Sequence, residues 1–199
     1  MRLSVDHSDA LMELVNIGIG RAAAELNEML DSPIELEVPN LLVTTRESAS
    51  KNIAGGDESV AMVQLPFEGS FAGRAFLAFS PSSASALVGL LVDDLSDDVA
   101  LDNVRVGTLT EVGNILLNSV MGSITNTLDA ELRYRVPSFY EVDRAGMLSL
   151  QGREQEAIVM VAEARFRVQD RAIEGQIHLV FAVDGFDALL RAIDRASAA

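Results

Sequence analysis

Between Asp9 and Leu30 the apolar residues Leu11, Val15, Ile19, Ala22, Leu26 and Met29 recur at helical spacing and make one stripe, with Ser8 placed to cap it. "IELEVPNLLVTTR" (34–46) then alternates like a strand, and "SASKNIAGGDES" reads as a polar, Gly-containing loop. The runs 59–67 and 69–79, parted by Glu68, predict a hairpin. Ser80 as cap and Pro81 at the first helical position open a short helix over 81–92. After the acidic stretch "DDLSDDVALD" (93–102) the order returns: a long helix over 103–128, a strand over 132–143, strands near 156–168 and 172–183, and a helix over 186–196.

The two halves also share letters. "VAMV" (60–63) matches "IVMV" (158–161), and "AGRAFLAF" (72–79) matches "EGQIHLVF" (174–181). "ALVGLLVD" (86–93) matches "ALLRAID" (188–194) with one residue dropped. The pattern predicts an α/β (α+β) two-layer domain over 1–199, with an antiparallel sheet and two long helices. It would be built from two pseudo-symmetric helix-strand-strand-strand-helix repeats, about 6–93 and 103–196, joined by the acidic linker. Three strands and one long helix cannot cover both sheet faces alone, so the halves are expected to share one sheet.

Composition narrows the chemistry. With 15 basic against 30 acidic residues the formal charge is −15, which repels nucleic acid and anionic lipid. Lys51 is the single lysine, and a surface this acidic suggests a high-salt cytoplasm, where charges are screened over about 3 Å at 1 M. There is no cysteine, and His7 and His178 are the two histidines, so disulfides, thiolate catalysis and His- or Cys-rich metal sites are excluded. The N-terminal residues lack an apolar signal core, and "ALVGLLV" falls far short of the roughly 20 residues a membrane span needs, so a cytoplasmic protein without membrane insertion is expected.

Two polar triplets stand out. At 100° per residue, Asp9, Glu13 and Asn16 lie within about 60° of one another and point away from the apolar stripe. In the second long helix the stripe is Leu109, Leu117, Val120 and Ile124, and Glu111 and Asn114 again point away. Asn16 is followed by Pro39 and Asn114 by Pro137, with 22 residues between in both cases. A Glu/Asn/Pro triple at this spacing should arise at roughly one position in ten thousand. Duplication explains the second copy but not why these positions persist, because Asn inside a helix costs several tenths of a kcal/mol against Ala.

The pattern Asp or Ser, three residues, Glu, two residues, Asn, 22 residues, Pro resembles the signature of the CheC/CheX/FliY family of chemotaxis response-regulator phosphatases. Asp9, Glu13, Asn16 and Pro39 satisfy it, whereas the second copy has Gly107 in place of the leading residue before Glu111, Asn114 and Pro137. Two motifs resemble CheC rather than single-site CheX, and 199 residues leave no room for the extra domain of FliY. The resemblance implies dephosphorylation of a phosphorylated CheY-type response regulator. Asn16 or Asn114 would orient the attacking water, and Glu13 or Glu111 would pair with a lysine beside the partner's phosphoaspartate. Asp9, Gly20, Pro39 and Pro137 would support the sites. Mg2+ would belong to the partner and no cofactor to this chain. The alternative is a non-catalytic adaptor that binds CheY and the receptor deamidase CheD.

Other signals are weaker. "GIGRAA" (18–23) fits a dinucleotide-binding fragment, but no strand precedes it and the helical stripe runs through it. Its glycines suit close approach instead, and Gly20 lies on the Asp9/Glu13/Asn16 face. "SASK" (48–51) lacks the downstream partners of a Ser-Lys enzyme. His178 alternates with core positions of a strand and reads as structural. Asp93, Asp94, Asp97 and Asp98 read as solvated acidic linker rather than a cation site.

Overall fold

Near-continuous apolar runs on long strands, buried on both faces, build the centre of the sheet. A computed structural model of the chain describes residues 3–30, 34–45, 48, 59–92, 98–143, 146, 157–168 and 171–198. The elements are α1 (Val5–Leu30), β1 (Ile34–Glu37), β2 (Leu41–Thr45), β3 (Val60–Gly69), β4 (Gly73–Phe79) and α2 (Pro81–Leu91). They continue with α3 (Asp98–Leu128), β5 (Leu132–Tyr134), β6 (Ser138–Val142), β7 (Ile158–Val168), β8 (Arg171–Phe181) and α4 (Val183–Ser197). All eight strands form one antiparallel sheet in the order β1-β7-β8-β4-β3-β5, with β2 also on β7 and β6 also on β3.

Each edge therefore comes from one half of the chain and pairs with a long strand of the other half. The edges are broken at matching places. Three residues separate Glu37 from Leu41 where two separate Ala162 from Arg165, and three separate Tyr134 from Ser138 where two separate Gln64 from Phe67. Both breaks are one-residue bulges, and each contains a proline, Pro39 or Pro137. Proline has no amide hydrogen to give a ladder, so an edge bulge is where a sheet tolerates it.

The helices lie on one face. Leu11, Val15, Ile19, Ala22 and Leu26 of α1 are buried as their spacing predicts, as are Leu109, Leu117, Val120 and Ile124 of α3. The side chain of Met29 lies outside the described residues. These stripes join Leu65, Phe67, Leu77, Phe79, Phe166 and Phe181 from the sheet in the main core. A smaller apolar cluster, Val60, Met62, Phe76, Ala78, Val159 and Val180, occupies the opposite sheet face.

Four sequence expectations are corrected. The first helix starts a turn earlier than Ser8: Ser4 Oγ accepts from His7 N at 3.1 Å, and Leu3 packs against the core. The acidic stretch is not all linker, because α3 begins at Asp98, while 93–97 lie outside the described residues. Glu68 is not the hairpin connection, since it pairs with Arg133 on β5, and Gly69 at φ 145° leads into the turn. The strands over 34–46 and 132–143 are each two short strands around a bulge. The polar loop over 48–59 lies outside the described residues except for Ser48 and Ser59. Elsewhere the reading holds: Ser80 Oγ accepts from Ser83 N at 3.1 Å, with Pro81 at the start of α2.

The contact between α1 and α3 is made by backbone. A Cβ on Gly18 would lie 2.4 Å from Val120 Cα and 2.9 Å from Ser119 O. Ser123 Oγ donates to the carbonyl of Leu14, and Ser119 Oγ to Glu25 at 3.3 Å. Replacing Gly18 with Ala must push the helices apart, whereas a Cβ on Gly20 meets nothing within 4 Å. Urea unfolding should show Gly18→Ala less stable by about 1–3 kcal/mol. Gly20→Ala should be neutral or more stable, by up to about 1 kcal/mol.

His178 is fully buried on the sheet face away from the helices, between Phe76 and Val161 on the neighbouring strands. Its Nε2 meets Gln176 Oε1 at 3.2 Å, and Nδ1 has no partner among the described residues. Burial lowers its pKa from 6.5 to about 4. Between those values the unfolded chain holds a proton that the folded chain does not, so this contribution to stability is present above pH 6.5 and is lost as the pH falls toward 4. The loss is at most about 3 kcal/mol. Urea titrations at pH 7 and 4.5 should show wild type losing more stability over that interval than His178→Leu does.

Candidate functional site

The geometry that buries one stripe of each long helix exposes the opposite one. On α1, Leu11, Leu14, Val15, Gly18 and Ile19 face the protein, so Asp9, Glu13, Asn16 and Gly20 all face solvent. On α3, Leu109, Val112, Leu116, Leu117, Val120 and Met121 are buried; Gly107 and Glu111 are exposed and Asn114 is half-buried. The structure thus brings Asp9, Glu13, Asn16 and Gly20 onto one surface, and Gly107, Glu111 and Asn114 onto another. Pro39 and Pro137 are not on these helices. They sit in the bulges of the two edge strands, Pro39 exposed and Pro137 half-buried.

The two surfaces differ in detail. The side chain of Asn16 has no hydrogen-bond partner among the described residues, and Gly20 leaves the next turn bare. In α3 the equivalent turn carries Asn118. Its Nδ2 donates to Asn114 Oδ1 at 2.6 Å and to the Asn114 carbonyl at 2.8 Å. The i, i+4 spacing of the two asparagines is the one signal in the sequence that points to Asn118. Gly113 sets α3 directly on β3, since a Cβ there would fall 2.6 Å from Val63 Cβ.

Surrounding charges anchor the helices. His7 Nε2 meets Asp194 on α4 at 2.8 Å, and Arg105 holds Glu141 of β6 at 2.8 Å. Beside the second bulge, burial pushes the Tyr134 phenol above its usual pKa, with a hydrogen bond to Thr125 acting the other way. Among the described residues no group of three or more His, Asp or Glu side chains is placed to hold a metal ion. No helix among them is long and apolar enough to cross a membrane.

Two outward helix faces, each with a carboxylate and a carboxamide one turn apart, suit insertion into a partner's pocket rather than enclosure of a small molecule. Residues 7–43, which span α1 to β2 and hold the first complete motif, match the model of the CheC-like family. The CheY-P phosphatase CheC of Bacillus subtilis (strain 168) is 24% identical over 196 residues, 94% of this chain and 94% of that protein. The crystal structure of Thermotoga maritima FliY shares the fold with a TM-score of 0.77 at 16% identity, covering 98% of this chain and 100% of that one. The CheX–CheY–BeF3–Mg+2 complex from Borrelia burgdorferi matches with a TM-score of 0.52 at 20% identity, over 86% of this chain and 99% of that one. The resemblance to the CheC/CheX/FliY family is borne out by these similarities of sequence and fold.

An exposed surface of this kind should tolerate truncation. Neither Glu13→Ala nor Glu111→Ala removes a packed group, so thermal melting should place both within about 0.5 kcal/mol of wild type, as exposed substitutions are.

Proposed function

We propose that the protein dephosphorylates a phosphorylated CheY-type response regulator, using Glu13 with Asn16 and Glu111 with Asn114 as two separate sites. The observation that carries this reading is the outward projection of both Glu/Asn pairs from helices whose other faces are locked in the core. The name of the Bacillus subtilis relative supports the reaction. The complex of a CheX with CheY, BeF3 and Mg+2 supports the partner.

Hydrolysis of an aspartyl phosphate forms a bond from a water oxygen to phosphorus and breaks the bond from phosphorus to the carboxylate oxygen, releasing inorganic phosphate. The attacking water must lie in line with the breaking bond, so catalysis is a matter of position and electrostatics. A carboxamide suits this work. It gives the water a donor and an acceptor at once and adds no charge beside the phosphoryl group. Glu13 and Glu111 pair with a lysine of the receiver and fix the helix in register. Mg2+ would stay with the receiver's own acidic residues. Pro39 and Pro137 act on the sites through the edge strands they shape.

The test follows phosphate loss from the phosphorylated receiver at about 1 M salt, which screens the repulsion of an acidic chain for an acidic partner. Asn16→Ala and Asn114→Ala should each remove part of the acceleration, and the double variant should lose it by about 100-fold or more in kcat. A double variant as fast as wild type would overturn the reading. A wild type that binds the receiver without accelerating phosphate loss would make the protein an adaptor, holding the receiver or the deamidase CheD.

A further inference from the structure

We propose that Asn118 is a positioning residue that fixes the carboxamide of Asn114, so that the second site is oriented before the receiver arrives and the first is not. The inference rests on the function proposed above. One amide nitrogen of Asn118 supplies both of its hydrogens to Asn114, one to Oδ1 at 2.6 Å and one to the main-chain oxygen at 2.8 Å. The bonds set the rotamer of Asn114 and also its polarity. Oδ1 is turned toward the following helical turn, and Nδ2 is left on the other side. A free lone pair of Oδ1 and both hydrogens of Nδ2 remain for the water.

The backbone beneath is held as well. Val112, Leu116 and Leu117 are buried, and Gly113 rests on Val63. On α1 the position that matches Asn118 is Gly20, where a side chain would meet nothing within 4 Å. Asn16 can therefore rotate, and its carboxamide can flip end for end, in the docked complex as well as before it; both motions stop only as the transition state forms. Ordering deferred to that point slows the chemical step without weakening docking, so a carboxamide already ordered gives the faster step. Position 118 thereby offsets what Gly107 takes from the second site.

Each site can be read alone. In an Asn16→Ala background, where Asn114 does the work, Asn118→Ala should lower kcat about fivefold to tenfold and leave KM for the phosphorylated receiver unchanged. Asn118→Asp keeps the size but replaces the donor with an acceptor, which turns Asn114 end for end; kcat should fall at least as far. In an Asn114→Ala background, Gly20→Asn should install the same clamp on Asn16 and raise kcat severalfold. Circular dichroism confirms that each variant is folded. Unchanged kcat in Asn118→Ala, with Asn114→Ala inactive in the same background, would overturn the proposal and leave the phosphatase reading intact. A rise in KM with kcat unchanged would make Asn118 a docking residue and would also overturn it. Full activity in the Asn16→Ala, Asn114→Ala double variant would remove the phosphatase reading itself.

Discussion

The close backbone contact of α1 with α3 sets where everything else can be. Gly18 lets the helices meet at the main chain of Val120, and Ser123 ties α3 to the carbonyl of Leu14. Leu14 and Gly18 bracket Asn16, so the same contact that closes the core fixes the turn that carries the first candidate site. Once those two residues face inward, 3.6-residue periodicity leaves Asp9, Glu13, Asn16 and Gly20 no direction but outward. The second helix is seated by a different device, Gly113 on Val63, with the same result for Glu111 and Asn114.

Charge complements this geometry. A chain with a formal charge of −15 is a poor match for the acidic pocket of a receiver, and attraction must come from particular pairs rather than from the overall field. In the proposed reaction a glutamate that meets a lysine, followed one turn later by an uncharged amide, would place charge where it binds and withhold it where phosphate leaves. The sheet contributes rigidity. Its edges are contributed crosswise by the two halves, so neither half holds a complete sheet of its own, and a one-residue bulge interrupts each edge, at Pro39 and at Pro137.

Much of this was legible in the chain. The stripes of α1 and α3 repeat at helical spacing because each helix buries one side only, and the Glu/Asn pairs could be set on the far side by angle alone. Ser80 and Pro81 marked the start of α2 because capping is local chemistry. Features that depend on distant partners were hidden. A proline after a strand-like run does not say whether the strand ends or bulges, since that is decided by its pairing with β7 or β3. The Glu68 expectation failed for the same reason: its partner Arg133 is 65 residues away. Asn118 was missed for another reason: its i, i+4 spacing from Asn114 is visible in the chain, but two polar residues four apart on a helix give no sign of which hydrogen bond they will choose.

In the proposed function the receiver docks on the exposed faces of α1 and α3. Amide chemical shifts of the labelled protein, followed while a beryllofluoride-loaded receiver is added at about 1 M salt, test it most directly. The largest changes should fall on Asp9, Glu13, Asn16 and Gly20 and on Glu111, Asn114 and Asn118. Changes confined to α2, α4 or the sheet face that holds His178 would contradict it.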